Sequence, residues 1–150
     1  MTLQEKTLFR GKRVSDGEWV TGNYVNCYRP GMNKTTRHFI VEYPGEYFDE
    51  IYTSTVGQYT GMNDRNGKRI FDGDIIQAHF DEQYPENVTT GVVGWGTDPH
   101  FGWFVEEFHT EYRGIVDPDP LGECDIENWE VVGNIYDNPE LMEVTTHERP

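Results

Sequence analysis

Basic side chains all but vanish from the second half of this chain: between Arg69 and Arg149 the only Lys or Arg is Arg113. Residues 1–69 hold ten Lys/Arg against eight Asp/Glu, a net of +2, whereas residues 70–150 hold two against nineteen, a net of −17. A stretch so poor in cations offers a phosphate backbone no counter-charge and repels it, which excludes direct nucleic-acid binding by that half. Cysteine is equally scarce. Cys27 and Cys124 stand alone, with no CxxC or other paired spacing, so both thiols are expected free, as in a reducing cytosol. No window approaches the roughly 18 apolar residues needed to span a bilayer, and the first residues carry no apolar secretory segment. The expectation is a soluble, cytoplasmic protein with no membrane partner.

Nucleophiles and metal ligands are thin as well. Only Ser15 and Ser54 exist, neither in a Gly-x-Ser-x-Gly elbow, and neither cysteine has a histidine beside it. His38, His79, His100, His109 and His147 show no ligand spacing among themselves or with a cysteine. Gly91-Val92-Val93-Gly94-Trp95-Gly96 is rich in glycine, but it lies in a β pattern and opens no helix, so it is no phosphate-cradling loop. These gaps predict no catalytic constellation, no metal and no cofactor, and hence no enzyme.

What the chain does have is aromatic: 14% of its 150 residues, against a modest 35% hydrophobic in all. One domain of this size can bury a core unaided, and a core leaning on Trp, Tyr and Phe favours strands over helices. Short β-like runs alternate with turn signals at close intervals. Leu8 to Val14 and Glu18 to Tyr28 flank Ser15-Asp16-Gly17, an opening hairpin. Arg29 to Lys34 reads as a loop, His38 to Tyr43 as a third strand ended by Pro44-Gly45, and Ser54 to Thr60 as another strand before the reversal at Asn66-Gly67. Ile75 to Phe80, Val88 to Trp95, Gly102 to Phe108 and Asn128 to Asp137 follow. Glycines at 91, 94 and 96 imply bent strands. Asn138-Pro139 has the chemistry of a helix start, Asn as cap and Pro at the first position. The predicted class is mainly β: an N-terminal hairpin region, a small SH3-like barrel of bent strands in the second half, and a short C-terminal helix. Lobes over 1–62 and 63–143, and a frayed tail over 144–150, are the natural divisions.

Two candidate sites have simpler explanations. Asp72 and Asp74 flank a glycine before a strand, where carboxylates cap a turn through backbone amides rather than share a proton. Asp117-Pro118-Asp119-Pro120-Leu121-Gly122 is too rigid and too poor in oxygen for a calcium loop.

Four blocks run in order along the chain. They are Phe9-Arg10-Gly11-Lys12-Arg13 with Gly17-Glu18-Trp19-Val20-Thr21-Gly22; Thr55-Val56-Gly57-Gln58-Tyr59-Thr60-Gly61-Met62; Asp64-Arg65-Asn66-Gly67-Lys68-Arg69-Ile70-Phe71-Asp72-Gly73-Asp74-Ile75-Ile76; and Glu130-Val131-Val132-Gly133-Asn134-Ile135-Tyr136-Asp137-Asn138-Pro139-Glu140-Leu141. In these blocks the chain resembles the YopX family. The resemblance implies a phage- or prophage-encoded protein with no established biochemical activity and a tendency to self-associate. The intervening segments, Asn26 to Phe48 and Asp98 to Asp125, match no block and are where partner specificity is expected.

Two roles follow from the charge split and the resemblance. The first is a self-associating interaction module, in which Arg10, Lys12 and Arg13 of one subunit meet the acidic half of another around Trp95, Phe101 and Trp103. The second is an acidic inhibitor that presents Glu106, Glu107, Glu111, Asp117, Asp119 and Asp125 as phosphate look-alikes to a basic host protein.

Overall fold

The computed structural model describes residues 1–27, 36–42, 47–79, 83–84, 88–97, 101–108 and 119–142. The chain divides into two compact units, Met1–Gly61 and Met62–Pro150, and each is mainly antiparallel β with little helix.

The first unit opens with a four-residue helix, α1 (Leu3–Lys6), that the strand pattern does not foretell. Thr2 caps it: its hydroxyl accepts from the Glu5 N–H, and the Glu5 carboxylate accepts from the Thr2 N–H in return, a capping box. Strands β1 (Leu8–Lys12) and β2 (Trp19–Cys27) form the expected hairpin, in register Lys12↔Trp19 through Leu8↔Asn23. Its turn places Gly17 at φ 73°, which a side chain would strain. β3 (Arg37–Val41) and β4 (Phe48–Glu50) extend the sheet on one side of the hairpin, and β5 (Gly57–Asn63) pairs with β1 on the other. Ser54 and Thr55, expected to open a strand over Ser54 to Thr60, lie instead in a 3₁₀ turn, Thr53–Thr55. It lets the Thr55 hydroxyl accept the Lys12 N–H at 2.9 Å. A bridge between Arg13 and Ile51 ties the end of β4 back to the end of β1, with Val14 N–H donating to Glu50 C=O. The sheet bends round a small core of Val20, Ile40 and Ile51, against which Phe9, Tyr24 and Val56 pack. Gly22 is required for that packing, because a Cβ there would stand 2.3 Å from the Val41 carbonyl oxygen.

β5 runs past Gly61 into the second unit, where the Asn66-Gly67 reversal, with Gly67 at φ 78°, turns the chain into β6 (Arg69–Phe71). β7 (Asp74–Ala78), β8 (Thr89–Gly96), β9 (Gly102–Phe108) and β10 (Asp119–Pro120) follow as a meander. β11 (Trp129–Asn134) returns to pair with β7, giving the order β10-β9-β8-β7-β11. Among the described residues this sheet is open, with β10 and β11 at its edges, so the closed barrel expected here does not form. Its end strands are a two-residue β10 and a β11 whose register shifts between Val131 and Gly133. Ile70, Ile76, Ala78, Val93, Val105, Leu121 and Trp129 make the core. The C-terminal helix reduces to a 3₁₀ turn, Pro139–Met142. The tail at 144–150 lies outside the described residues. No helix among the described residues is long and apolar enough to cross a membrane.

Candidate interaction surfaces

Side chains alternate across a strand, so the registers sort the first unit's residues by face. Phe9, Gly11, Val20, Tyr24 and Ile40 lie on the core side. Arg10 and Lys12 of β1, Trp19 of β2, Arg37 and Phe39 of β3, and Phe48 and Glu50 of β4 share the other. There the Arg10 guanidinium carbon stands 4.7 Å from the centre of the Trp19 ring, and Lys12 Nζ stands 5.4 Å from it. Both distances suit cation–π attraction. The Arg37 guanidinium carbon lies 5.3 Å from the Phe39 ring and its Nε donates to the Glu50 carboxylate at 3.1 Å, while Phe48 meets Phe39 edge-on and is 62% exposed.

Arg13, grouped with Arg10 and Lys12 by sequence proximity, is committed elsewhere. Its Nε donates to Asp16 at 3.1 Å and its Nη1 lies 3.8 Å from Asp49. The hydrogen bond to Asp16 raises the Arg13 pKa above its ordinary value. The Asp16 carboxyl is held below the usual carboxylate range, chiefly by the Glu18 N–H it accepts. Trp19, Arg37, Phe39 and Phe48 were not singled out from the sequence. The alternation within the strands carries the signal, but only a known register reveals which cation shares a face with which ring.

In the second unit Trp95 and Trp103 are cross-strand partners at the end of the β8–β9 pair, ring centres 5.1 Å apart and nearly perpendicular. They lie on the same face as the buried Val93 and Val105, so the apolar stripe of the core runs out to the surface. Trp103 packs on the core, whereas Trp95 is 58% and neighbouring Phe101 82% exposed. Gly96 is needed here because a Cβ would stand 2.0 Å from the Phe104 ring. Glu106 is exposed on β9. Glu107 lies in the same strand, and its side chain, like Glu111 and Asp117, falls outside the described residues. Asp119 sits in β10 opposite Val105. It begins an acidic strip in which Asp119, Glu123, Asp125 and Glu127 are exposed while Leu121 is fully buried and Cys124 and Ile126 pack on the core.

The remaining polar candidates serve the framework. Asp74 is buried and accepts the Phe71 N–H at 2.7 Å, the turn-capping role expected of it. Asp64, absent from the sequence candidates, accepts three backbone hydrogen bonds. Oδ1 accepts from the Asn66 and Lys68 N–H groups at 2.8 and 2.9 Å, and Oδ2 accepts from the Val131 N–H at 2.8 Å. With the Arg65 N–H donating to Trp129 C=O, the Asn66-Gly67 turn thus occupies the edge of β11. Asn134 Oδ1 similarly accepts from the Tyr136 and Asp137 N–H groups. His38 stacks on Tyr24 and hydrogen-bonds its hydroxyl, and His79 lies 3.8 Å from Glu130. His100, His109 and His147 fall outside the described residues. Among the described residues no group of three or more His, Cys, Asp or Glu is placed to hold a metal ion.

A family profile described as YopX protein matches residues 8–143. No curated protein matches the chain. Among solved structures, the crystal structure of protein EF1440 from Enterococcus faecalis is similar, with a TM-score of 0.50 and 20% sequence identity over 90% of this chain and 96% of that one. That likeness extends to the fold alone.

Proposed function

Because this chain belongs to the YopX family, whose shared blocks here build turns and registers, we propose that it works as a phage-type protein-interaction module that self-associates in the cytosol of its host. The observation that carries this reading is the Trp95–Trp103 pair with Phe101 at the end of the β8–β9 pair. Aromatic side chains left at the end of a core stripe are the usual centre of an interface, desolvated when a partner covers them. The cations over Trp19 on one copy and the carboxylates of the second unit on another supply complementary charge. The reading assigns no reaction to any residue and requires no cofactor. For the second unit, the meander β7-β8-β9-β10 with β11 returning to β7, and 3₁₀ turns just before β11, support an open variant of a small SH3-like barrel.

Light scattering tests the association. A mass above one 17.5 kDa chain is expected at low salt, with Trp95→Ala and Phe101→Ala lowering it, and a wild-type mass of one chain overturns the reading. Salt then sorts the forces, since the Debye length shrinks from about 10 Å at 0.1 M to about 3 Å at 1 M.

The exposed row Asp119, Glu123, Asp125 and Glu127 favours a second reading, an acidic inhibitor of a basic host protein. It expects salt-sensitive inhibition of a nuclease or DNA-binding protein, lost on reversing those charges. Unchanged inhibition after reversal disposes of it.

A further inference from the structure

We propose that the outer face of β1–β4, centred on Arg10, Lys12 and Trp19, is the surface that receives the carboxylate strip Asp119–Glu127 of a second copy of this chain. The inference rests on the self-association reading and specifies which parts of two copies meet.

The face is preorganised for carboxylates. Arg10 and Lys12 lie over one ring and Arg37 over another, so long cationic side chains that would otherwise lose rotamer freedom on binding are already partly held. Arg37, lying on the Phe39 ring, donates its Nε to the Glu50 carboxylate at 3.1 Å, so a guanidinium held on a ring here still binds a carboxylate in its own plane. Phe48 adds exposed apolar area beside the cations.

The strip is preorganised in the opposite sense. Leu121 anchors it in the core, Ile126 and Cys124 pack against that core, and Trp129 closes its end, so exposed carboxylates at 119, 123, 125 and 127 stand on a fixed backbone rather than a free tail. Asp125 is further held by the Asn128 amide at 2.8 Å. No Lys or Arg occurs between Arg113 and Arg149 to neutralise the strip from within its own stretch of sequence.

Charge chooses the occupant. A nucleic acid would meet the net −15 of the whole chain with uniform negative charge. A second copy instead offers exposed carboxylates at 119, 123, 125 and 127 on a stretch without Lys or Arg, so docking that strip on Arg10 and Lys12 brings unlike charges together. Two different patches make the contact heterologous, and such contacts propagate into rings or open chains.

Charge exchange on the full-length protein tests this. Arg10→Glu with Lys12→Glu makes both surfaces acidic, and Glu123→Lys with Glu127→Lys makes both basic. Each double variant alone is expected to fall to the mass of one chain in light scattering, and an equimolar mixture to recover the wild-type mass. Should a reversal disturb folding by near-ultraviolet circular dichroism, Arg10→Gln with Lys12→Gln keeps the shape and is expected to weaken association about tenfold or more. A wild-type protein of single-chain mass overturns self-association itself. An associated wild type whose variants stay associated, or whose monomeric variants do not recover on mixing, overturns this pairing and leaves self-association standing. A fluorescent single-stranded oligodeoxynucleotide that binds the wild type and is lost in Arg10→Gln/Lys12→Gln at unchanged mass overturns it in favour of nucleic acid.

Discussion

The two units solve the same problem with different resources. Among the described residues the first has three buried residues in its core cluster and leaves long cations lying on rings. The second has seven, and leaves exposed carboxylates along the strip from Asp119 to Glu127. In both, glycines and turn residues serve the architecture. Gly11 and Gly22 let the first sheet close on Ile51 and Val41, and Asp64, Gly73 and Asn134 fasten turns onto β7 and β11 in the second. What differs most between the units is their exposed surfaces, cations on rings in the first and carboxylates on a fixed strip in the second, and recognition is to be sought there.

The largest break in the comparison is expected in the second core. Trp129→Ala removes a ring that is 2% exposed and should cost about 4 kcal/mol, against about 2 kcal/mol for Val20→Ala in the thinner first core. Urea unfolding measures both. Trp19 is the first unit's only tryptophan, so in a Trp19→Phe background fluorescence follows the Trp129→Ala loss in the second unit while far-ultraviolet circular dichroism follows the Val20→Ala loss, and equal losses from the two substitutions would deny the difference.

Asp64→Ala comes next. It strands three N–H donors and uncovers the edge of β11, for an expected loss of about 3 kcal/mol. Asp64→Asn keeps one acceptor oxygen and should lose about half as much. A loss below about 0.5 kcal/mol for the alanine variant, within the ordinary range of surface substitutions, would show that the turn holds without it.

These effects also separate what the chain's order reveals from what it hides. Turns governed by neighbours were legible: Asp16-Gly17, Asn66-Gly67 and the cap at Asp74 all stand where local chemistry puts them. The Thr2–Glu5 box was equally local, and its helix was overlooked because the strand pattern begins at Leu8. Features that join distant residues were not legible. Asp64 reaches Val131 across 67 positions, Arg13 leaves the basic cluster for Asp49, and whether a meander closes depends on strands that propensity cannot pair. The surface candidates stood halfway: Trp95 and Trp103 were identifiable as aromatics, but their contact required the β8–β9 register.

Glycine substitutions give a smaller contrast. Gly22→Ala drives a Cβ to within 2.3 Å of a backbone oxygen that cannot move without opening β2–β3, and should cost about 2 kcal/mol. Gly94→Ala in β8 meets nothing within 4 Å and should stay within about 0.5 kcal/mol of wild type. Thermal unfolding separates the two, and equal shifts would mean that the first sheet has more slack than its contacts imply.

The smallest expected effect is a pH dependence confined to the first unit. The carboxyl of Asp16 is depressed in the folded protein, first by the Glu18 N–H, which outweighs the opposing desolvation, and then by the hydrogen bond from Arg13. A depressed acid contributes stability that is present above its unfolded pKa, ordinarily about 3.9, and is lost as pH falls through the lower folded value. The β1–β2 hairpin should therefore loosen below about pH 4. The partner shift on Arg13 runs upward, so its contribution persists until strongly alkaline pH and leaves the acid limb to the carboxylates. Asp16→Asn should flatten part of that limb without altering stability's slope near neutrality. Amide exchange at Glu18 and Trp19, followed from pH 6 to pH 3 after correction for intrinsic rates, checks it, and identical slopes in wild type and variant would remove Asp16 from the account.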